Sequence, residues 1–234
     1  MTISDKLTTI AENEQKVYNA GYDKMLDTFW DVLQVNGQRT VYQRVLKSGM
    51  SSWIPSGYTP VYNDFKFTPK YSLENVTDVS YMAETIYGVT SVGELIMPIC
   101  TNCSFCFNNC YDLENIDAFI APKATTNGNI FNYCKKLKRI GRLDLSSRNG
   151  TGYIVYSCSA LEEINFEGTI NNSISFQWCT KLTHDSLMSI INALKDYSED
   201  TSGTTYTLTL ATDNLAKLTD GEKAIAIGKG WNLA

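Results

Sequence analysis

The chain has 234 residues, 43% hydrophobic and 19% charged, a composition too apolar for disorder and long enough for one or two domains. Its net charge is −5 and it has no long Lys/Arg run, so the electrostatic footprint of a nucleic-acid binder is missing. No apolar run approaches the ~18 residues that a bilayer crossing requires, so membrane insertion is not expected.

Residues 1–47 read as an N-terminal helical segment. Ser4 is a candidate N-cap, and Leu7, Ile10 and Val17 share one face. After Gly21, a second stripe of Tyr22, Met25, Leu26, Phe29, Trp30 and Leu33 follows. Neither stripe sustains a heptad, which leaves a coiled coil open. Asn36-Gly37 is a turn signal. The N-terminus has no continuous apolar core of the secretory kind, so the expected starting compartment is a cytoplasm. Residues 48–78, with Pro55, Pro60, Pro69, Gly49 and Gly57, read as an irregular connector.

Residues 79–182 carry a period. Phe107, Cys110, Leu113 and Ile116 align with Phe131, Cys134, Leu137 and Ile140. They align again with Val155, Cys158, Leu161 and Ile164, and with Phe176, Cys179 and Leu182. The cysteines step by 24, 24 and 21 residues. Subtracting one period from Ile116, Phe119 and Pro122 gives Val92, Leu95 and Pro98, which extends the pattern backwards to about five units. Each unit holds a short alternating segment such as Ile140-Gly-Arg-Leu143-Asp-Leu145, predicted to be a strand with one buried face. A cysteine recurring at one slot reads as a small buried apolar plug. Seven cysteines cannot all pair within the chain, which points to reduced thiols.

Residues 183–234 leave the period. Leu187, Ile190, Ile191 and Leu194 predict an amphipathic helix, and Tyr206–Leu210 alternates as a strand. Thr219 and Glu222 form a capping-box pattern opening a helix to about Ile227, and Trp231–Leu233 is a candidate last strand. A strand–helix–strand end of this kind suits a C-terminal cap.

The unit Phe-x-x-Cys-x-x-Leu-x-x-Ile at a period near 24 resembles the BspA-type leucine-rich repeats. The head from Ile3 to Tyr18 and the closing stretch from Leu218 to Trp231 resemble repeat proteins of phage and prophage tail genes of Firmicutes. The resemblance implies an α/β solenoid, a leucine-rich-repeat-like stack of short strands that binds a partner and brings no catalytic residues. It departs at the first unit, where Ala83 and Ile86 replace Phe and Cys, and at the last spacing, which shrinks near Trp178.

Two clusters compete with that reading. Cys100, Cys103, Cys106 and Cys110 have the spacing of a bacterial iron–sulfur run, yet Tyr111 stands where Pro usually follows and no second run exists. A zinc site from the same four lacks the usual two separated pairs. His184, the sole histidine, sits in a Thr-His-Asp-Ser segment that suits helix capping. Gly150 and Gly152 read as a turn, too short a pattern for a phosphate cradle.

On the strand face expected to point outward lie Glu94, Ile96, Ala118, Ile120, Arg142, Asp144, Asn165 and Glu167, with Tyr133 and Trp178 as exposed aromatics nearby. The expectation is a non-enzymatic binding protein without cofactor or metal, a phage tail or baseplate appendage of the virion assembled in the host cytoplasm. Its repeat face would engage a host cell-surface glycan or protein. Its N-terminal helices would contact other tail proteins, with a homotrimer as one assembly. The alternatives are a bacterial surface adhesin with leucine-rich repeats, a cytoplasmic repeat scaffold, and an iron–sulfur or zinc protein.

Overall fold

The structure, a computed structural model, describes residues 34–35, 38–39, 65–67, 73–74, 76–85, 89–150 and 152–234. The expected N-terminal helices and most of the connector lie outside those residues. Two short strands, β1 (Gln34–Val35) and β2 (Gln38–Arg39), pair antiparallel, with Gln34 opposite Arg39 and Val35 opposite Gln38.

The main sheet is parallel, in the order β3 (Phe65–Phe67), β4 (Val89–Ile96), β5 (Asn115–Ile120), β6 (Arg139–Asp144) and β7 (Glu163–Phe166). The register pairs Val92 with Ile116, Ile116 with Ile140, and Ile140 with Ile164, so one apolar position is repeated across four strands and is buried in each. Behind it, Phe107 stacks on Phe131 at 6.0 Å between ring centroids, and Phe119 meets Phe131 edge-on at 5.3 Å.

The thiols are a hydrogen-bonded set within this interior. Cys110 donates to the Ala83 carbonyl (3.0 Å), Cys134 to Phe107 (3.1 Å), Cys158 to Phe131 (2.9 Å) and Cys179 to Val155 (3.4 Å). A serine here would offer the same bond from a more strongly hydrated hydroxyl; cysteine offers it from a small apolar side chain.

The turn backbone has a periodic strain. Tyr81, Phe105 and Asn129, and separately Thr85, Asn109, Tyr133 and Ser157, adopt left-handed φ of 56° to 61°. Each costs an L-residue about 1–2 kcal/mol. The compensation is visible in six of them: their N–H groups donate to carbonyls one turn further on, as in Thr85 to Asn108 (2.7 Å), Asn109 to Asn132 (2.8 Å) and Tyr133 to Tyr156 (2.8 Å).

The ladder stops at β7, and the reason is local. The register slips by one residue between Ile140–Ile164 and Leu143–Phe166. Helix α1 (His184–Ala193) then occupies the edge where another strand would pair. Ser186 Oγ accepts the Ile164 N–H (3.0 Å) and Ser189 Oγ accepts the Phe166 N–H (2.9 Å), so side chains take the donors that a following strand would have used. Thr183 caps α1 through the Ser186 N–H, and the Lys229 ammonium donates to the carbonyls of Ile191, Asn192 and Leu194 at its far end.

The chain turns away into a second parallel sheet, β8 (Ile174–Phe176), β9 (Tyr206–Leu210) and β10 (Trp231–Leu233), in the order β10-β9-β8. Helices α2 (Thr212–Leu215) and α3 (Asp220–Gly228) lie between β9 and β10, and α3 opens with the Thr219–Glu222 capping box. Trp231 is buried beside Tyr206 and Tyr197 and donates its indole N–H to the Lys195 carbonyl.

The leucine-rich-repeat solenoid, and with it the BspA-type and tail-protein resemblance, is therefore corrected. Two discrete parallel sheets, with the helices gathered near the C-terminus, form an α/β domain. The second sheet recruits β8, which the sequence period had assigned to the repeats.

Candidate functional site

The strand positions expected to face outward fall into two rows. Glu94 pairs with Ala118 in register, and Ile96 with Ile120 and then Asp144. Glu94 and Ile96 are exposed, Ile120 is half-buried, and Ala118 is fully buried. Arg142 explains the last of these. From β6 its guanidinium reaches Glu94 on β4 (2.8 Å), passing over the intervening strand at Ala118, and on its other side contacts Glu167 (3.3 Å). A small residue at 118 makes that crossing feasible.

The rest of the face is also engaged internally. Asp144 accepts from the Ser146 N–H (3.0 Å) and hydroxyl, and Gly168 packs so tightly on this carboxylate that a Cβ there would collide with it. Asn165 accepts from the Ser189 hydroxyl (3.0 Å). Arg139 lies between Glu163 (3.2 Å) and Asp117 (3.9 Å). Between this end of the sheet and α1 runs a polar groove of about 450 Å³ lined by Arg139, Glu163, Asn165, Asp185 and Ser189. The charged side chains of the face are thus paired with one another or with neighbouring polar groups, and Ile96 and Ile120 lie apolar among them.

A different surface has ring faces open to solvent. On the turn segments, Tyr133 and Tyr156 meet edge-on at 5.3 Å, and Tyr156 meets Trp178 at 5.7 Å. Tyr153 joins Tyr156 at 5.0 Å. Tyr133, Tyr153 and Trp178 are 41%, 37% and 49% exposed, among the most open large apolar side chains of the described residues. The Gln177 amide donates to the Tyr153 hydroxyl (3.4 Å), and the Tyr156 backbone N–H donates to the Asn132 side-chain oxygen (2.8 Å). Tyr133 and Trp178 stood out in the sequence. Tyr153 and Tyr156, which connect them, did not; their signal was an aromatic pair at i, i+3 beside a recurring cysteine.

The remaining candidates have structural partners. All seven thiols are free and buried. Burial pushes Cys100 up to about 11 and Cys179 up to about 12 and raises Cys103, Cys106 and Cys158 well above their usual value, which disfavours the thiolate at these five positions. Among the described residues no group of His, Cys, Asp and Glu is arranged to hold a metal ion, which overturns the iron–sulfur and zinc alternatives for Cys100, Cys103, Cys106 and Cys110. His184 Nε2 lies 2.8 Å from Glu222 and links α1 to α3. Among the described residues no helix is long and apolar enough to cross a membrane.

No family model, curated protein or solved structure matches the chain. The fold also corrects the expected role. An α/β domain of two sheets is not a repeat-based binding module, and the readings that depended on one — leucine-rich-repeat tail appendage, adhesin or repeat scaffold — fall with it.

Proposed function

We propose that this domain binds carbohydrate, without acting on it chemically, through the ring row Tyr133–Tyr156–Trp178 and its neighbour Tyr153. The observation that carries the reading is the edge-locked geometry of that row. Each ring is braced by the next, so partly exposed faces are presented with little rotamer entropy left to lose on binding. A sugar ring has an apolar C–H face and a rim of hydroxyls. The first suits an aromatic face, and the second suits the phenol and amide groups set between the rings.

A protein partner fits less well. A stable protein interface buries about 800 Å² per side around an apolar centre. Here the sequence neighbours of the rings are Lys135, Lys136, Gln177, Thr180 and Lys181, which leave a narrow aromatic strip in polar surroundings. The strip suits a short, amphipathic ligand.

The test is titration of the full chain with cello-, chito- and manno-oligosaccharides, followed by calorimetry and tryptophan fluorescence. Binding of at least one series is expected, weakened about tenfold or more by Trp178→Ala, equivalent to about 1.4 kcal/mol. Trp178→Ala should lower the unfolding temperature by no more than about 4 °C, since the side chain is half-exposed and loses one edge contact, to Tyr156. Failure of all series to bind, or binding indifferent to both Trp178→Ala and Tyr156→Ala, refutes the reading.

A further inference from the structure

Where the first sheet gives way to the second, a small pocket of about 10 Å³ is lined by Leu145, Ile154, Phe166, Ile170 and Ile174, with Arg148, Thr169, Asn171 and Asn172 as its polar lining. Arg148 is only 5% exposed. Its two terminal nitrogens donate to the Ser173 carbonyl (2.9 Å) and the Gly152 carbonyl. Its Nε–H is buried with no acceptor, and the Asn171 Oδ1 is buried with no donor.

The charge of Arg148 is likewise unanswered. Among the described residues no carboxylate forms an ion pair with it, and loss of solvent alone pulls the guanidinium down to about 10, which still leaves it charged at neutral pH. A buried cation without a counter-charge is strongly unfavourable, and carbonyl dipoles relieve only part of that. The Asn171 side chain makes no other hydrogen bond among the described residues. Turning its amide over therefore replaces the orphaned acceptor by an N–H donor on a residue that lines the same pocket.

We infer that Arg148 and Asn171 form an internal site for one monatomic anion of the chloride class, held by the Arg148 Nε–H and the Asn171 amide. The cavity admits about one water-sized species, which excludes phosphate, sulfate and carboxylates. A water would satisfy the two orphaned atoms but would leave the charge as it stands; a halide answers both.

The experiment uses the unaltered full chain at constant ionic strength, so that general screening cancels. Replacing sodium gluconate by sodium chloride or bromide should raise the unfolding temperature saturably by about 3–5 °C. Gluconate is too large to enter. The shift should vanish in Arg148→Met and persist in the surface control Arg142→Met. Equal unfolding temperatures in the two salts, or a halide shift retained by Arg148→Met, overturns the inference. Should Arg148→Met not fold, crystals of the unaltered protein grown in bromide decide: an anomalous peak beside Arg148 Nε upholds the site, and a water or empty density there overturns it.

Discussion

Removing the hydroxyl of Ser186 tests why the first sheet ends where it does. Its oxygen accepts the Ile164 N–H (3.0 Å), donates to the Glu162 carbonyl (3.1 Å) and lies 2.9 Å from the Thr183 hydroxyl. Ser186 and Ile164 are 4% and 2% exposed, so water cannot readily replace the lost acceptor. Ser186→Ala leaves a buried N–H unsatisfied, a penalty of about 1–3 kcal/mol. For a chain of this size about 2 kcal/mol corresponds to a fall of about 4–8 °C in unfolding temperature. Ser189→Ala removes the equivalent bond to the half-buried Phe166, where solvent can substitute, and should cost less than half as much. Urea unfolding of both variants, with hydrogen exchange at the Ile164 amide, measures the two terms. The same loss in both, or a Ser186→Ala variant within ~0.5 kcal/mol of the parent with Ile164 still protected, would refute edge capping by α1.

Four further outcomes follow from the same geometry. Ala118→Leu places a larger side chain under the Arg142 crossing and should destabilise by about 1–3 kcal/mol, part of which Arg142→Ala should restore in that background; additive effects would show that the two do not meet. The buried thiols should resist a chromogenic disulfide reagent at pH 8 until the protein is unfolded, and rapid modification of any cysteine in the native state would contradict their placement. Lys229→Met frees three carbonyls at the end of α1 and should cost about 1–3 kcal/mol, with faster amide exchange in its last turn; unchanged exchange would count against the cap. The Thr219 backbone N–H, then its hydroxyl and the nearby His184, hold the Glu222 carboxyl below its usual 4.5. A depressed acid stabilises the fold above its unfolded value, so this contribution should fade as pH falls from about 4.5 through the lower native value. Glu222→Gln should flatten that limb of the stability profile, and an unaltered limb would remove Glu222 as its source.

How far the sequence could be read differs from element to element. The Thr219–Glu222 capping box, the apolar stripe of α1 and the alternation of Tyr206–Leu210 depend on neighbours a few residues away, and each appears at the residues that encode it. The left-handed turn positions were hidden, since Tyr81, Phe105 and Tyr133 are residue types that rarely adopt positive φ; hydrogen bonds between successive turns hold them there. The candidate face was half legible. Alternation located Glu94 and Arg142, but only a side chain reaching across the intervening strand pairs the two over Ala118. The aromatic strip was legible at its two ends and hidden in the middle, because the slots of Tyr153 and Tyr156 hold asparagine in the preceding unit (Asn129 and Asn132) and so carry no constant aromatic signal.

By itself, the sequence determined which residues are apolar at which spacing, and so which strands, caps and thiols go inside: these choices rest on burial and on short-range hydrogen bonds, which a local pattern records. Only the tertiary structure decided how many strands share a sheet. A one-residue slip beside β7, two serines on α1 and the turn of β8 toward β9 divide one apparent period into two sheets. Each depends on partners more than twenty residues apart, whose pairing is fixed by which buried donor meets which acceptor.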